Sequence, residues 1–503
     1  MNARRNMRGR RPRWIALCLL AAGLAPFAAA AQSWEVHSGL NPHKEVLRGV
    51  VDVRYCPGGG MASVGAQEMP PGTPGGGNII VERVYATTPL GAPSWRYSYD
   101  SGYSEYGGGI VEYTDGSGFA IVASRVESTS PQLTRLTISK IDCNGNMVWH
   151  RGYSLTAGYN VSWDIIRANT GTPASGTNPG DLVAVGEYNV SGLRYVRVVR
   201  AENTMGNLIW TRDYSMPTGV PTSGRGIAEV DTPSATDHLV VAGGLGANAA
   251  IFEVDGDTGA FVCGTQSAGL GGGSIFNDIV RHGGSTGIAP GFTAVGDTRA
   301  PTGAPSQAYV ASYVTGPTAP CALKKQVHWG AGTDHESAQA VTTTLGGSFS
   351  AVPVGQLLIA GNVVGPYSTN PNSADVWTHL MVPNTLTPFV SATYTGQRYG
   401  TFAAGLSGAE TVADVAESTG GGYFVGMSTS PWVAGDSQYG YSTRMRFSDS
   451  RTMCSVPWKA PVALLASSSA FVLADPRYDP SVWLHPLPRS PIKADFCCNY
   501  SPL

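Results

Sequence analysis

At one aligned position of a recurring segment, the chain offers Gly49, Gly109, Asp164, Gly226, Asp278, Gln339 and Asp414. Three carboxylates gathered around a narrow channel would present hard oxygen ligands of the kind calcium takes. The same groups would equally cap backbone amides at a strand entry. No cofactor is therefore expected, and calcium is the one ion this set would suit. Asp334, His335 and Glu336 form the densest titratable cluster, just before one of these segments. His282 and Asp278 lie four residues apart on a strand, hence on one side of it. Either group has the residue types for acid–base work. Asp255–Gly256–Asp257 resembles half a calcium loop, but the further acids and the bidentate Glu are absent, so it reads as a hairpin turn. The sequence contains no H-E-x-x-H, no G-x-S-x-G and no phosphate-cradling G-x-x-x-x-G-K-[ST]. No catalytic residue is assigned on this basis, and the absence of C-x-x-C argues against zinc.

Aromatic residues are the other group with chemistry to offer. Several fall out of step with the repeat described below: Tyr103, Tyr106, Tyr159, Trp163, Tyr188, Trp377, Trp432, Tyr439 and Tyr441. Exposed rings stack on sugars or grip protein partners, so these are candidate rim residues.

The elements that must position these groups are strands. Trp34, Trp95, Trp149 and Trp210 follow one another at 61, 54 and 61 residues. Trp329 and Trp458 continue the series at about double that spacing, with Phe261 and Tyr394 at the missing marks. A fixed period of this length signals a repeat architecture. Within each period a strand of alternating apolar and small residues recurs, as in GFAIVAS (118–124), DLVAVGE (181–187) and HLVVAGG (238–244). That alternation suits a strand buried between packed sheets. A shorter strand precedes it, such as WDIIRA (163–168) or NDIVRH (277–282). A third follows, then a tight turn such as Asn144–Gly145, then a fourth strand carrying the aromatic. A lone four-stranded sheet buries too little, whereas sheets stacked radially bury both faces. The pattern predicts an all-β protein: a β-propeller of seven four-stranded blades over 45–460. The alternative has eight blades, the last closed by the N-terminal strand 33–38 together with the C-terminal tail.

The run KIDCNGNMVWHRGYS (140–154) resembles the repeats of exported bacterial β-propellers with blades of roughly 55–60 residues. IFEVDGDTGAFV (251–262) is more distantly similar to quinoprotein-type propellers. The resemblance covers about 80% of the chain and bears on fold; such propellers host many functions.

Residues 1–31 read as a signal peptide: six arginines, the apolar run Trp14–Ala22, then small residues at Ala28–Ala31, with cleavage near Ala30–Gln32. Residues 32–44 read as an N-terminal extension or closing strand. Residues 461–503 read as a tail ending in a Pro-rich strap. Removing the leader takes the formal charge from −2 to about −8, which excludes nucleic acid as a natural partner. No later segment is long and apolar enough for a membrane span. Seven cysteines remain after Cys18 departs, and export permits disulfides. Their connectivity is open, with Cys454 or Cys56 expected to pin the tail through Cys497 or Cys498. The expected function is non-enzymatic binding of a protein or glycan through the loop face, in the periplasm or outside the cell. The alternatives are a lyase, hydrolase or quinoprotein-like dehydrogenase with its site in the central funnel, or a structural role in the envelope.

Overall fold

A computed structural model describes residues 34–38, 44–68, 77–85, 95–129, 132–153, 159–172, 175–190, 192–216, 220–230, 238–283, 290–301, 303–314, 321–330, 335–345, 352–364, 374–389, 397–399, 410–419, 423–429 and 439–445, together with 462–463, 468–470, 477–478, 482–484 and 489–491. The leader, Asp334, Trp432, Cys454, Cys497 and Cys498 lie outside these residues.

Every described regular element is a strand, and every pairing is antiparallel. Six sheets of five strands follow one another along the chain, and a further sheet has four. The innermost strands are Lys44–Val53, Ser104–Glu112, Tyr159–Arg167, Thr222–Val230, Ser274–His282, His335–Thr343 and Glu410–Glu417. Each touches the next, and the last meets the first, so the ring closes. The fold is a β-propeller of four-stranded antiparallel blades.

The core lies between adjacent sheets. Second strands read as small–apolar alternations because both of their faces are covered: Val183, Ala184 and Val185 are all fully buried, as are Leu239, Val241 and Ala242. One cluster joins Val183, Val185, Val198 and Trp210 of the third sheet to Ile227, Val241 and Phe252 of the fourth. The tryptophans that mark the repeat are the wedges of such clusters, with Trp149, Trp210 and Trp329 buried.

The ends of the chain correct three expectations. Trp34–Ser38 is a closing strand, but of the last sheet rather than of an eighth blade: it pairs along Tyr439–Met445 and supplies the outer strand of the four-stranded sheet. That sheet therefore takes three strands from 410–445 and borrows its fourth from the other end of the chain. Among the described residues the tail forms no blade of its own. Its short strands Val462–Ala463, Ser468–Ala470, Arg477–Tyr478, Val482–Leu484 and Arg489–Pro491 add one apiece to the outer edges of the fifth, fourth, third, second and first sheets. Cys56, finally, is bonded to Cys143, and Cys263 to Cys321. Each bridge crosslinks neighbouring sheets rather than fastening the tail. Among the described residues no helix is long and apolar enough to cross a membrane.

Candidate functional site

Each innermost strand slips register against its neighbour at one place. The slips fall between Leu47 and Gly49, Gly107 and Ile110, Ser162 and Asp164, Gly224 and Gly226, Phe276 and Asp278, Ala338 and Ala340, and Val412 and Asp414. These are β-bulges, and a bulge re-aims the side chain of its extra residue. The extra residues are Arg48, Trp163, Arg225, Asn277, Gln339 and Ala413, with the pair Gly108–Gly109 in the second sheet. All of them line one cavity of about 360 Å³ in the central channel. The bulges thus build a site from every sheet at once.

The aspartates occupy the next position along. Asp164 accepts from Ile227 N (3.0 Å), Asp278 from Val341 N (2.7 Å) and Asp414 from Val50 N (2.8 Å). The acceptor is Oδ2 in every case, and the donor belongs to the next-reached innermost strand. Oδ1 of each accepts from the following residue's own amide at 2.7 Å. The receiving strands carry Gly226, Ala340 and Gly49 at the matching place. A Cβ on Gly226 would sit 2.8 Å from Ile279 N, which explains why that strand carries glycine. Aspartate and small residues alternate around the ring, and the alternation breaks once, between Gly49 and Gly109. Gln339 is therefore a bulge residue, and Ala340, not Gln339, aligns with the aspartates.

Burial lifts all three carboxyls, Asp164 to about 6 and Asp414 to about 7. Asp278 is lifted well above the ordinary range, first by burial and then by the charges of Asp164 and Asp414. With both oxygens held by backbone amides, these groups fasten sheets together. Among the described residues, the one set of three whose ligand atoms lie within 4.8 Å of one another is Glu253, Cys263 and Cys321, two of which form a disulfide.

The bulge residues have different chemistry. The Arg225 guanidinium lies 5.1 Å from the centre of the Trp163 ring, and that of Arg48 lies 5.9 Å from it. Arg225 also donates to Asn277 Oδ1, and Asn277 donates onward to Ala338 O at 2.9 Å. Gln339 Nε2 donates to Ser337 Oγ at 2.7 Å. Burial lowers the Arg225 pKa, opposed by the charges of Glu187 and Asp297. Arg48 stands exposed in the channel. Tyr106, 39% exposed, completes the wall with Ser124, Thr134 and Asn160. No histidine, cysteine or lysine is among the described lining residues. Ser162 Oγ donates to Ala123 O, and Ser124 Oγ accepts from Ser162 N, so neither serine faces a base. The arrangement can hold a polar ligand; it contains no nucleophile–base pair.

The remaining candidates lie elsewhere. His282 is buried within hydrogen-bonding range of Ser312 Oγ (3.5 Å), while Asp278 turns to Val341, so the two do not act as a pair. His335 is exposed, with its Nδ1 3.1 Å from Ser306 N, and Glu336 donates its amide to Ser306 O. Trp377 is not a rim residue. It is buried, edge-on to Trp329 at 5.4 Å, with its indole N–H on Asn362 O. Tyr188 is likewise buried, beneath the Arg197 guanidinium. Asp255 accepts from the amide and hydroxyl of Thr258, as a hairpin turn requires. Arg48, Arg225 and Asn277 were invisible as site residues because only the register slip turns them inward, and no residue type marks a slip.

No protein-family model matches the chain, and no curated protein matches it in sequence. Among solved structures, Sqt1 from Chaetomium thermophilum bound to the N-terminus of ribosomal protein L10 aligns with 10% identity and a TM-score of 0.39. The alignment covers 80% of this chain and 98% of that one. A second structure of Sqt1 from the same organism gives 11% identity and a TM-score of 0.37, covering 80% and 97%. At such scores neither likeness carries weight, and the fold rests on the strand pairing itself.

Proposed function

We propose that this chain is an exported, non-enzymatic binding propeller that takes a protein or glycan ligand at its central channel. The observation that carries the reading is the convergence of bulge residues from the whole ring on one cavity. Guanidinium, indole and amide groups meet there, and the aspartates among the described lining residues have their oxygens on backbone amides. Export is supported by the leader-like residues 1–31 and by two disulfides, which persist in oxidising compartments.

The test uses the mature protein on arrays of glycans and envelope or extracellular proteins, beside Arg48→Glu and Gln339→Ala. Both positions face the channel, and neither contributes to the cores between sheets. Binding to a defined class of array feature, weakened at least tenfold by Arg48→Glu, is the expected result. Equal binding by all three proteins would place the site elsewhere.

A further inference from the structure

We infer that Cys263–Cys321 is a redox-active bridge that exchanges with an external dithiol, and that Glu253 receives the thiols so released. The two disulfides have different surroundings. Cys56–Cys143 is set among backbone groups. Its Cys143 Sγ lies 3.1 Å from Gly116 O, and nearby Glu112 accepts from the amides of Arg54, Tyr55 and Cys56. Cys263–Cys321 is set against a buried carboxylate. Glu253 is the cross-strand partner of Cys263, and its Oε2 lies 3.6 Å from Cys263 Sγ and 3.8 Å from Cys321 Sγ. Among the described residues no carboxylate stands as close to both sulfurs of the other bridge. A closed disulfide carries no hydrogen and offers that oxygen no proton. Reduction turns both sulfurs into S–H donors within reach of it. A bridge whose reduced form is stabilised is the easier one to reduce. The backbone acts in the same direction: Cys321 has φ of 57°, a left-handed conformation that a non-glycine residue holds at a cost and can leave once the bridge opens.

Exposure sets the order of attack. Cys263 is half-buried and Cys321 is buried, so an incoming thiolate meets Cys263 Sγ first. A new S–S bond forms there, the Cys263–Cys321 bond breaks, and its electron pair leaves on Cys321 Sγ, which takes up a proton beside Glu253. The second thiolate of the reductant then attacks its partner sulfur in the mixed disulfide and frees Cys263, which is protonated in turn. Two electrons and two protons have passed from the dithiol to the bridge, and the dithiol departs as a disulfide. His238 Nδ1 is hydrogen-bonded to Oε1 of Glu253, and its side chain is 23% exposed. It holds the carboxylate in place and connects it to solvent. Cys263 belongs to the fourth sheet and Cys321 adjoins the outer strand of the fifth, so exchange unties two neighbouring sheets.

The experiment equilibrates the mature protein, without denaturant and with a chelator present, across a series of reduced-to-oxidised dithiothreitol ratios. Free thiols are trapped by alkylation and read cysteine by cysteine by peptide mass spectrometry. Cys56–Cys143 of the same molecule is the internal reference, and circular dichroism follows the fold. Cys263–Cys321 should reach half-reduction at a ratio at least tenfold lower than Cys56–Cys143, with the fold intact. Glu253→Met, of similar length but without the carboxylate, should narrow that gap at least threefold. Glu253→Gln, whose amide oxygen still accepts from S–H, should recover part of it. Coincident half-reduction of the two bridges overturns the inference. So does reduction of Cys263–Cys321 only where the fold is lost, or a gap that Glu253→Met leaves unchanged. The wild-type ratios decide the matter for the bridge even if a variant fails to fold.

Discussion

At the scale of single residues, the aspartates of the inner ring have the most to say about pH. Each folded-state carboxyl lies above its unfolded value, so the folded protein holds more protons between about pH 4 and pH 7 than the unfolded chain does. Their contribution is complete below about pH 4 and is lost as pH rises through 6 to 7. Burial also raises Glu187 and Asp297, with the same sign. Urea midpoints should therefore be higher at pH 5 than at pH 8. Asp414→Asn should shrink that difference by ~1 kcal/mol or more, since each tenfold in proton affinity is worth about 1.4 kcal/mol. An identical pH difference in the variant would show that Asp414 does not titrate in this range. That three aspartates recur near the channel was legible from their spacing alone. Their partners were not, because each reaches a strand some 63 residues away, or 364 in the case of Asp414. Sequence spacing within one repeat carries no trace of the next.

At the scale of the element, the fourth strand and the neighbouring turn form one unit. Trp149 and Tyr153 lie four residues apart, as do Trp95 and Tyr99, and Trp210 and Tyr214. The hydroxyls of Tyr99, Tyr153 and Tyr214 donate to Gly145 O, Gly206 O and Gly259 O in the turn of the following sheet. The same glycines have φ of 76°, 68° and 71°. They also lie under the aromatic residues of the preceding sheet: a Cβ at Gly206 would come within 2.7 Å of the Trp149 ring. Turn conformation and inter-sheet packing thus demand glycine independently. Gly206→Ala should cost ~2 kcal/mol or more, combining left-handed strain with the displaced indole. Gly176→Ala isolates the strain, because Gly176 has φ of 80° and nothing within 4 Å of its would-be Cβ. Equal losses in thermal melts of the two variants would remove the indole from the account. The Asn-Gly turn and the tryptophan period were plain in the sequence, since both obey local chemistry. The bulges were not: the strand's alternation simply shifts by one, and except at Gly109 and Gln339 the aligned column fell a residue past the bulge residues.

At the scale of the whole molecule, a ring of sheets must be closed and its outer edges covered. Both tasks fall to the chain ends. Trp34–Ser38 pairs over five residues with Tyr439–Met445, joining the start of the chain to its last sheet. The tail then runs backwards past five sheets, leaving two or three paired residues on each. Strands this short carry too little periodicity to show which sheet they join, and so the sequence left 461–503 open between a tail with a Pro-rich strap and part of an eighth blade. Exposed fourth-strand edges invite pairing with other chains, and the tail occupies those edges. The two ends should therefore fail differently when removed. Deleting residues 32–40 from the mature chain opens the ring and should lower the urea midpoint cooperatively. Truncation after Trp458 leaves the ring closed. It should spare most of the midpoint, yet raise amide exchange in Ala322–Trp329, Phe261–Ser267, Leu208–Tyr214, Met147–Tyr153 and Trp95–Tyr99, and promote self-association. The innermost strands, held by the aspartates and by both neighbours, should keep their protection. Unchanged exchange along those five outer strands would mean that the tail contributes no ladder in solution; loss of protection throughout would mean that it closes the ring as surely as the N-terminal strand does.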